Sequence, residues 1–282
     1  MEQKKDVITQ WSESAQYWEK YRETIREMFA PVTEALIEDA RIAKGGAVLD
    51  VAMGPGEPAL SVAEFVGPVG RVVGTDFVAD MVEAARREAT RRGMLNARFE
   101  TAAAEKLPFD DDSFDAAVCR FGVMFFPSPV AGVREMLRVV KPGGRVAMAA
   151  WHFAERNPFH YVLSEIVDRY VPAPPPPETG APDAFRFATP GELLGVFVSA
   201  GAKNASERLL RFPVTARLRP EEYWRIRSEM SEKLRSKLAQ LSEAKLEELK
   251  SEVLKAVRPY TSGEGVSFPA EVWVVSGEKE KV

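Results

Sequence analysis

Two acids set around a glycine turn are the residues of this chain whose types and spacing most directly suggest chemistry. The stretch VLDVAMGPGEP, residues 48–58, carries an apolar run into Asp50 and then into Gly54 and Gly56. A second apolar run, RVVGTD, ends in Asp76, twenty residues after Gly56. Glycine has no Cβ, so a turn through 54 and 56 can bend tightly and bring main-chain N–H groups close to a ligand. An acid at the end of the next strand is placed to accept hydrogen bonds from the two hydroxyls of a ribose. The spacing points to a nucleoside-containing cofactor, although a glycine pair alone also punctuates ordinary strand-to-helix turns.

Other reactive residue types are sparse. The chain has two histidines, His152 and His160. His152 directly follows the run RVAMAAW, at the end of a strand where sheet sites open, and is the candidate general base; the alternative is a polar residue that begins a loop. Cys119 lies inside DAAVCRF and reads as a small core residue. Asp110, Asp111 and Asp112 precede that strand and read as a solvated turn, so no metal site is expected. Trp11, Tyr17, Trp18 and Tyr21 cluster near the start. Trp11, Trp18 and Tyr21 share roughly one helical face, which fits packing against a domain or, if the helix covers a cleft, contact with a positively charged ligand.

The elements that must position these residues alternate. Residues 11–28 and 31–42 read as helices, the second with Pro31 in its first turn. From residue 47 onward short apolar runs take turns with amphipathic segments: AVLDVA, a helix over 59–66, RVVGTD, a helix over 78–92, and ARFETA. After these come SFDAAVCRF, a helix over 130–140, and RVAMAAW. That order predicts an α/β fold with a mostly parallel, Rossmann-like sheet of seven strands covered by helices on both faces. Beyond Trp151 the pattern loosens. A helix over 159–170 is followed by VPAPPPPETGAP, which favours an extended polyproline segment. Thr189 and Glu192 look like a helix start capped by the threonine, and Gly201 its stop. The strand-like runs SERLLRFPV and AEVWVVSG are separated by a charged helical insertion over about 220–258. Its apolar residues, Ile226, Met230, Leu234, Leu238 and Leu241, then Leu246, Leu249, Val253 and Val257, form one stripe per half. The insertion reads as a helical hairpin packed on the sheet domain, or as a lid over the site. The expected division is 1–42 as helices covering the cleft, 43–218 with 263–282 as the sheet domain, and 219–262 as the insertion.

Composition narrows the partners. The 282 residues are 45% hydrophobic, ample for a large core, and the formal net charge is −4. That balance argues against nucleic acid, whose binding needs clustered Lys and Arg, and leaves a small-molecule partner. A single cysteine precludes an internal disulfide and suits a reducing compartment. The polar start MEQKKDVITQW and the lack of a long apolar run lead us to expect a cytoplasmic chain without a membrane span. Nothing in the sequence sets an oligomeric state.

Four segments in order, LDVAMGPG, VVGTDFVADMVEAAR, AEKLPFDDDSFDAAVCRF and LRVVKPGGRVAMAAW, resemble the class I S-adenosylmethionine-dependent methyltransferases of the quinone-biosynthesis group. The resemblance implies S-adenosyl-L-methionine as cofactor. It puts the backbone at Met53, Gly54 and Gly56 against the methionine part, with Asp50 beneath it and directed at the amino group. Asp76 would take the ribose and Phe77 would stack on adenine, with the Ala104 amide and Glu105 beside the ring. Arg120 and Phe121 would lie near the reacting sulfur. Tyr17, Phe125 and Trp151 are the candidate acceptor residues. Phe121, Phe125, Phe126, Trp151 and Phe153 are expected to line an apolar aromatic cavity.

This chain departs from the pattern in three places. Ala52 stands where the family has glycine, and Ala103 where an aspartate commonly accepts from the adenine amine. MAAW replaces the strand ending in glutamate and serine, and the amino-terminal tyrosine, aspartate, methionine, asparagine signature is absent, so a quinone acceptor is not supported. The implied reaction is in-line methyl displacement, which needs alignment and exclusion of water more than a nucleophile motif. A nicotinamide oxidoreductase shares the turn and ribose acid but needs a third glycine that GPGEPA lacks. A binding subunit without turnover is the remaining alternative.

Overall fold

Four of the five apolar runs of the first half become interior strands of one sheet, buried along most of their length, while ARFETA, in which Phe99 alone is buried, takes its edge. The computed structural model describes residues 2–172 and 180–281, so most of the polyproline reading, at 173–179, lies outside the described residues. Three helices, α1 (Glu2–Lys20), α2 (Arg22–Met28) and α3 (Ala30–Asp39), precede strand β1 (Ala47–Val51), all five of whose residues are buried. There follow α4 (Ala59–Val66), β2 (Arg71–Asp76), α5 (Ala79–Arg91), β3 (Ala97–Thr101), β4 (Phe114–Arg120), α6 (Pro129–Val139) and β5 (Val140–Trp151). The second half supplies α7 (Pro158–Tyr170), α8 (Glu192–Ser199), β6 (Lys203–Ala216), α9 (Pro220–Met230), α10 (Glu232–Leu238), α11 (Glu243–Val257), the two-residue β7 (Thr261–Ser262) and β8 (Gly265–Glu278).

The strand order is β3-β2-β1-β4-β5-β8-β6, with β7 attached to β8. Strands β1 to β5 run parallel, and β8 is antiparallel to both β5 and β6. This is the mostly parallel Rossmann-like sheet expected, seven strands along its path plus a short hairpin strand. The order reverses between β1 and β4, so chain connections leave that point in opposite directions and open a crevice at the carboxyl ends of the strands. The glycine turn, Asp76, Phe121 and Trp151 all follow or end strands at that edge.

Three local readings change. The first helix is broken at Tyr21, so 11–28 falls on α1 and α2. The insertion is three helices and not a hairpin: Ser231 starts α10 by accepting from the Leu234 amide, and a further break separates α10 from α11. Thr189 does not cap α8. Gly191, with φ 84°, occupies that place without a side-chain cap, and Thr189 contributes its carbonyl to the Glu192 amide. The insertion's stripes are buried against the body: Tyr223, Leu249, Val253 and Val257 are fully enclosed. Among the described residues no helix is long and apolar enough to cross a membrane.

Candidate cofactor and acceptor site

The turn after β1 is held by main-chain bonds, the Met53 amide to the Thr75 carbonyl at 3.0 Å and the Gly56 amide to the Met53 carbonyl at 3.3 Å. Its two glycines do different work. A Cβ on Gly54, at φ 58°, would meet no heavy atom within 4 Å, so this residue faces open space. A Cβ on Gly56, at φ 111°, would press on Leu60 and Ala85, so this residue lets α4 and α5 close on the turn. Ala52 takes the left-handed conformation at φ 58°, where the family glycine would be unstrained. The Met53 side chain turns into the core against Gly74, leaving its backbone at the turn.

Three acids and one arginine are buried around this turn. Asp76 accepts from the Gly54 amide at 2.9 Å and the Val78 amide at 3.0 Å, and burial raises its pKa to about 6. Asp50 is completely enclosed, and neither of its carboxylate oxygens has a hydrogen-bond partner. The Ala59 amide at the start of α4 faces it without closing a bond, and burial drives its pKa well upward against the pull of Arg120. Glu57 accepts from the Ser61 hydroxyl at 2.6 Å while its Oε1 has no hydrogen bond and faces the Arg92 guanidinium at 3.5 Å, and burial raises its pKa as well. Arg120 donates to the Thr33 hydroxyl at 2.8 Å, and burial lowers its pKa. A buried carboxylate without donors is costly, so Asp50 is a place that a cationic donor would complete. The ammonium of S-adenosyl-L-methionine fits that requirement.

Phe77 packs with Val78, Met81 and Ala15 under Trp11 and Trp18 of α1. Trp11 also meets the Phe125 ring edge-on at 5.1 Å, and Ser12 hydrogen-bonds Asp80, so α1 lies over the chain that follows β2. The Trp18 indole nitrogen is buried without a partner. Ala104 is buried, and the Glu105 carboxylate accepts from the Ser128 amide at 3.0 Å.

On the other side, the chain leaves β4 through Phe121 at φ 64°, a conformation bulky residues rarely adopt. It lays the Phe121 ring on Trp151, with centroids 4.3 Å apart and planes within 4° of parallel. Phe29 meets both rings edge-on, at 5.4 and 5.6 Å. The Trp151 ring touches His160 at 4.5 Å, and the Arg227 guanidinium lies 5.0 Å over Phe159.

The structure therefore brings Phe121 and Trp151 together but not His152. That side chain turns to the opposite face, against Trp273 and Phe153, where its Nδ1 accepts from the Phe153 amide at 2.7 Å. The cause is strand alternation, which sends residues 151 and 152 to opposite sides of the sheet. Tyr17 lies under the Arg235 guanidinium, and Phe125 packs on Trp11 of α1. Phe126 packs towards Gly132, and Phe153 is exposed. Cys119 is fully buried in the core, with its thiol pKa pushed up by burial.

Sequence reasoning missed Glu57, Phe29, His160 and Arg227. The signal for Arg227 was present, since it stands four residues after Tyr223 on the face that Ile226 and Met230 mark as buried. Two surface hollows of about 400 and 450 Å³ lie elsewhere. One is bordered by Ile37, Arg41 and Phe65 and the other by Arg211, Pro269 and Glu271, and neither includes a residue of the turn.

Residues 24–163 match the sequence profile of the ubiE/COQ5 methyltransferase family. A Pseudomonas putida protein described as ubiquinone/menaquinone biosynthesis C-methyltransferase UbiE is 37% identical over 135 residues, 48% of this chain and 51% of that one. The demethylmenaquinone methyltransferase of Listeria monocytogenes is 39% identical over 107 residues, 38% of this chain and 45% of its own. The chain thus spans about half the length of the curated relatives it matches. Among solved structures, the YcgJ protein of Bacillus subtilis superposes with a TM-score of 0.56 at 22% identity, covering 89% of this chain and 98% of that one. This last likeness is one of fold.

Proposed function

We propose, from the match of residues 24–163 to the ubiE/COQ5 methyltransferase family profile and from the site itself, that the chain is an S-adenosyl-L-methionine-dependent methyltransferase acting on a small-molecule acceptor. The observation that carries the reading is the charge around the glycine turn. Asp50, Glu57 and Asp76 are buried there with Arg120 as the one buried cation and Arg92 reaching Glu57 from the rim at 3.5 Å, and both oxygens of Asp50 lack donors. A sulfonium amino acid brings positive charge and an ammonium donor to such a place, whereas the pyrophosphate of a nicotinamide dinucleotide would bring negative charge to three buried acids.

Bound there, the cofactor supplies an electrophilic methyl group on a sulfonium. Asp50 holds its amino end and Asp76 its ribose hydroxyls, with the backbone of Met53 and Gly54 along the methionine part. Phe77 and the Ala104 amide take the adenine, Glu105 lies beside it, and α1 excludes water above. Arg120 and Phe121 border the reacting side, and the Phe121–Trp151 stack presents the acceptor. The relatives named above act in quinone biosynthesis by their descriptions; the aromatic stack supports a flat apolar acceptor here without specifying a quinone.

Titration calorimetry decides the reading. S-adenosylhomocysteine should bind and NAD should not, and Asp50→Asn should weaken the former by about tenfold or more, as expected for loss of a charge-assisted hydrogen bond. No heat with S-adenosylhomocysteine from folded protein overturns it.

A further inference from the structure

Arg227 is an unexplained buried charge. It is 8% exposed, its Nε–H has no hydrogen-bond partner, and among the described residues no carboxylate lies within ion-pair distance of it. What it touches is the Phe159 face, at 5.0 Å, with Tyr223 one helical turn earlier. The Tyr223 hydroxyl donates to the Phe159 carbonyl at 2.9 Å and offers its oxygen to the guanidinium, but a neutral phenol supplies no counter-charge. Contact with an aromatic face recovers part of the desolvation cost of a guanidinium, but an enclosed cation normally has a counter-charge. The remaining neighbours supply none.

A second polar group faces the same place from another element. His160 of α7 keeps some ring surface, but its Nε2 is buried and unbonded. The ring lies between Trp151 at 4.5 Å and Phe159 at 5.2 Å, with Phe185 beyond at 6.2 Å. Burial and the nearby Arg227 both hold its pKa well below the usual histidine value, so the ring is neutral at physiological pH and free to hydrogen-bond. Thus α9 carries a cation without a counter-charge over Phe159, and α7 carries beside it a neutral ring nitrogen without a hydrogen-bond partner at the edge of Trp151.

We propose that this compartment takes the methyl acceptor and that the acceptor is an organic anion: a flat apolar body packed on Trp151, and a carboxylate paired with Arg227 beside His160. The proposal rests on the methyltransferase reading and adds the charge class of the substrate. A neutral acceptor would leave Arg227 as isolated as it is now. A cationic acceptor would add a second positive charge to it. Only an anion removes the cost that the fold carries at this position. Arg227 is on this account a specificity-determining residue, supplied by the insertion and not by the sheet domain.

The test uses charge-matched twins, 2-naphthoate against 2-naphthamide and benzoate against benzamide, titrated calorimetrically into the full chain with and without saturating S-adenosylhomocysteine. The wild type should prefer each carboxylate over its amide by about tenfold or more, the range of a charge-assisted pair. Arg227→Met should abolish the preference and Arg227→Lys should keep most of it. His160→Asn should weaken the carboxylates severalfold while preserving the preference. Equal binding of acid and amide, no binding of either acid at millimolar concentration, or a preference that survives Arg227→Met overturns the proposal. The titrations without S-adenosylhomocysteine keep the two readings separable, since a chain that ignores that compound refutes the cofactor reading while naphthoate capture through Arg227 still stands or falls by itself. Should Arg227→Met prove unfolded by circular dichroism, the Arg227→Gln variant, which keeps a donor but no charge, takes its place with the same expectation.

Discussion

Asp50 and Asp76 are both buried acids, and their different surroundings give them different behaviour. Asp76 is bonded to two amides, so its carboxylate is partly solvated by the backbone, yet its pKa still rises to about 6. The unfolded chain would titrate the same group near about 4. A raised folded value means the folded state holds the proton more tightly. The contribution to stability is therefore complete below about pH 4 and is lost as pH rises through about 6. Thermal melts of the ligand-free protein should show this loss between those values, and Asp76→Asn should flatten it. Ribose hydroxyls need the ionised acid as acceptor, so affinity for S-adenosylhomocysteine should move the other way and weaken as pH falls below about 6. An affinity unchanged from pH 7.5 to 5 would remove Asp76 from the ribose site. The places of the glycines and both acids were legible in the sequence because they come from a local pattern of strand, turn and strand. His152 was misplaced because one residue along a strand reverses the side chain's face, and spacing alone did not say which face was which.

At the scale of elements, the insertion is first a packing unit. Leu249, Val253 and Val257 of α11 are fully buried, and α11 is tied to α7 by the Tyr170 hydroxyl and the Arg169 guanidinium, which bond Glu252 at 2.7 and 2.8 Å. Leu249→Ala should cost about 2–5 kcal/mol in urea unfolding, the range for emptying a core leucine site, with S-adenosylhomocysteine affinity within about twofold of wild type. A stability change below about 0.5 kcal/mol would mean that α11 is a surface flap. Removing all of 220–258 would strip this packing, so point variants separate lid from scaffold better than a deletion. The stripes of the insertion were readable by period, but its breaks at Ser231 and after Leu238 were not. A serine cap is a local device that the apolar repeat runs straight through. Helix α1 is held more lightly. Glu19 pairs with Arg87, both at the surface, where such pairs contribute little. Hydrogen exchange in α1 should therefore be fast in the free protein and slow on adding S-adenosylhomocysteine, because Trp11 and Trp18 pack with Phe77, the proposed adenine contact. Unaltered exchange in α1 would separate it from the site.

Across the whole molecule, the crevice is walled by segments far apart in the chain. Lys20 and Tyr21 both bond Glu229 at 2.6 Å, and Arg235 bonds Ser14 at 3.1 Å, so the first helices and the insertion meet above the sheet edge. A second network runs beneath the turn, where Glu88 is held by Arg22, Arg91 and Arg92, and those arginines lower its pKa to about 2. The sheet domain was foreseeable because alternating elements dictate it, whereas the walls depend on long-range meetings that no window of sequence contains. His160 and Arg227 acquire significance only when Phe159 of α7 meets Tyr223 and Arg227 of α9. The acceptor side of the site was accordingly the less readable half.

The antiparallel strand β8 lies between β5 and β6, paired with β6 from Val266 to Glu278 and with β5 over its second half, from Val272 to Glu278. Until residues 265–278 arrive, β5 and β6 each present a bare row of amides and carbonyls on the side that β8 will occupy. A nascent polypeptide halted ahead of that keystone would hold a glycine turn already shaped beside an acceptor wall not yet built, so on the ribosome cofactor capture can come before substrate recognition.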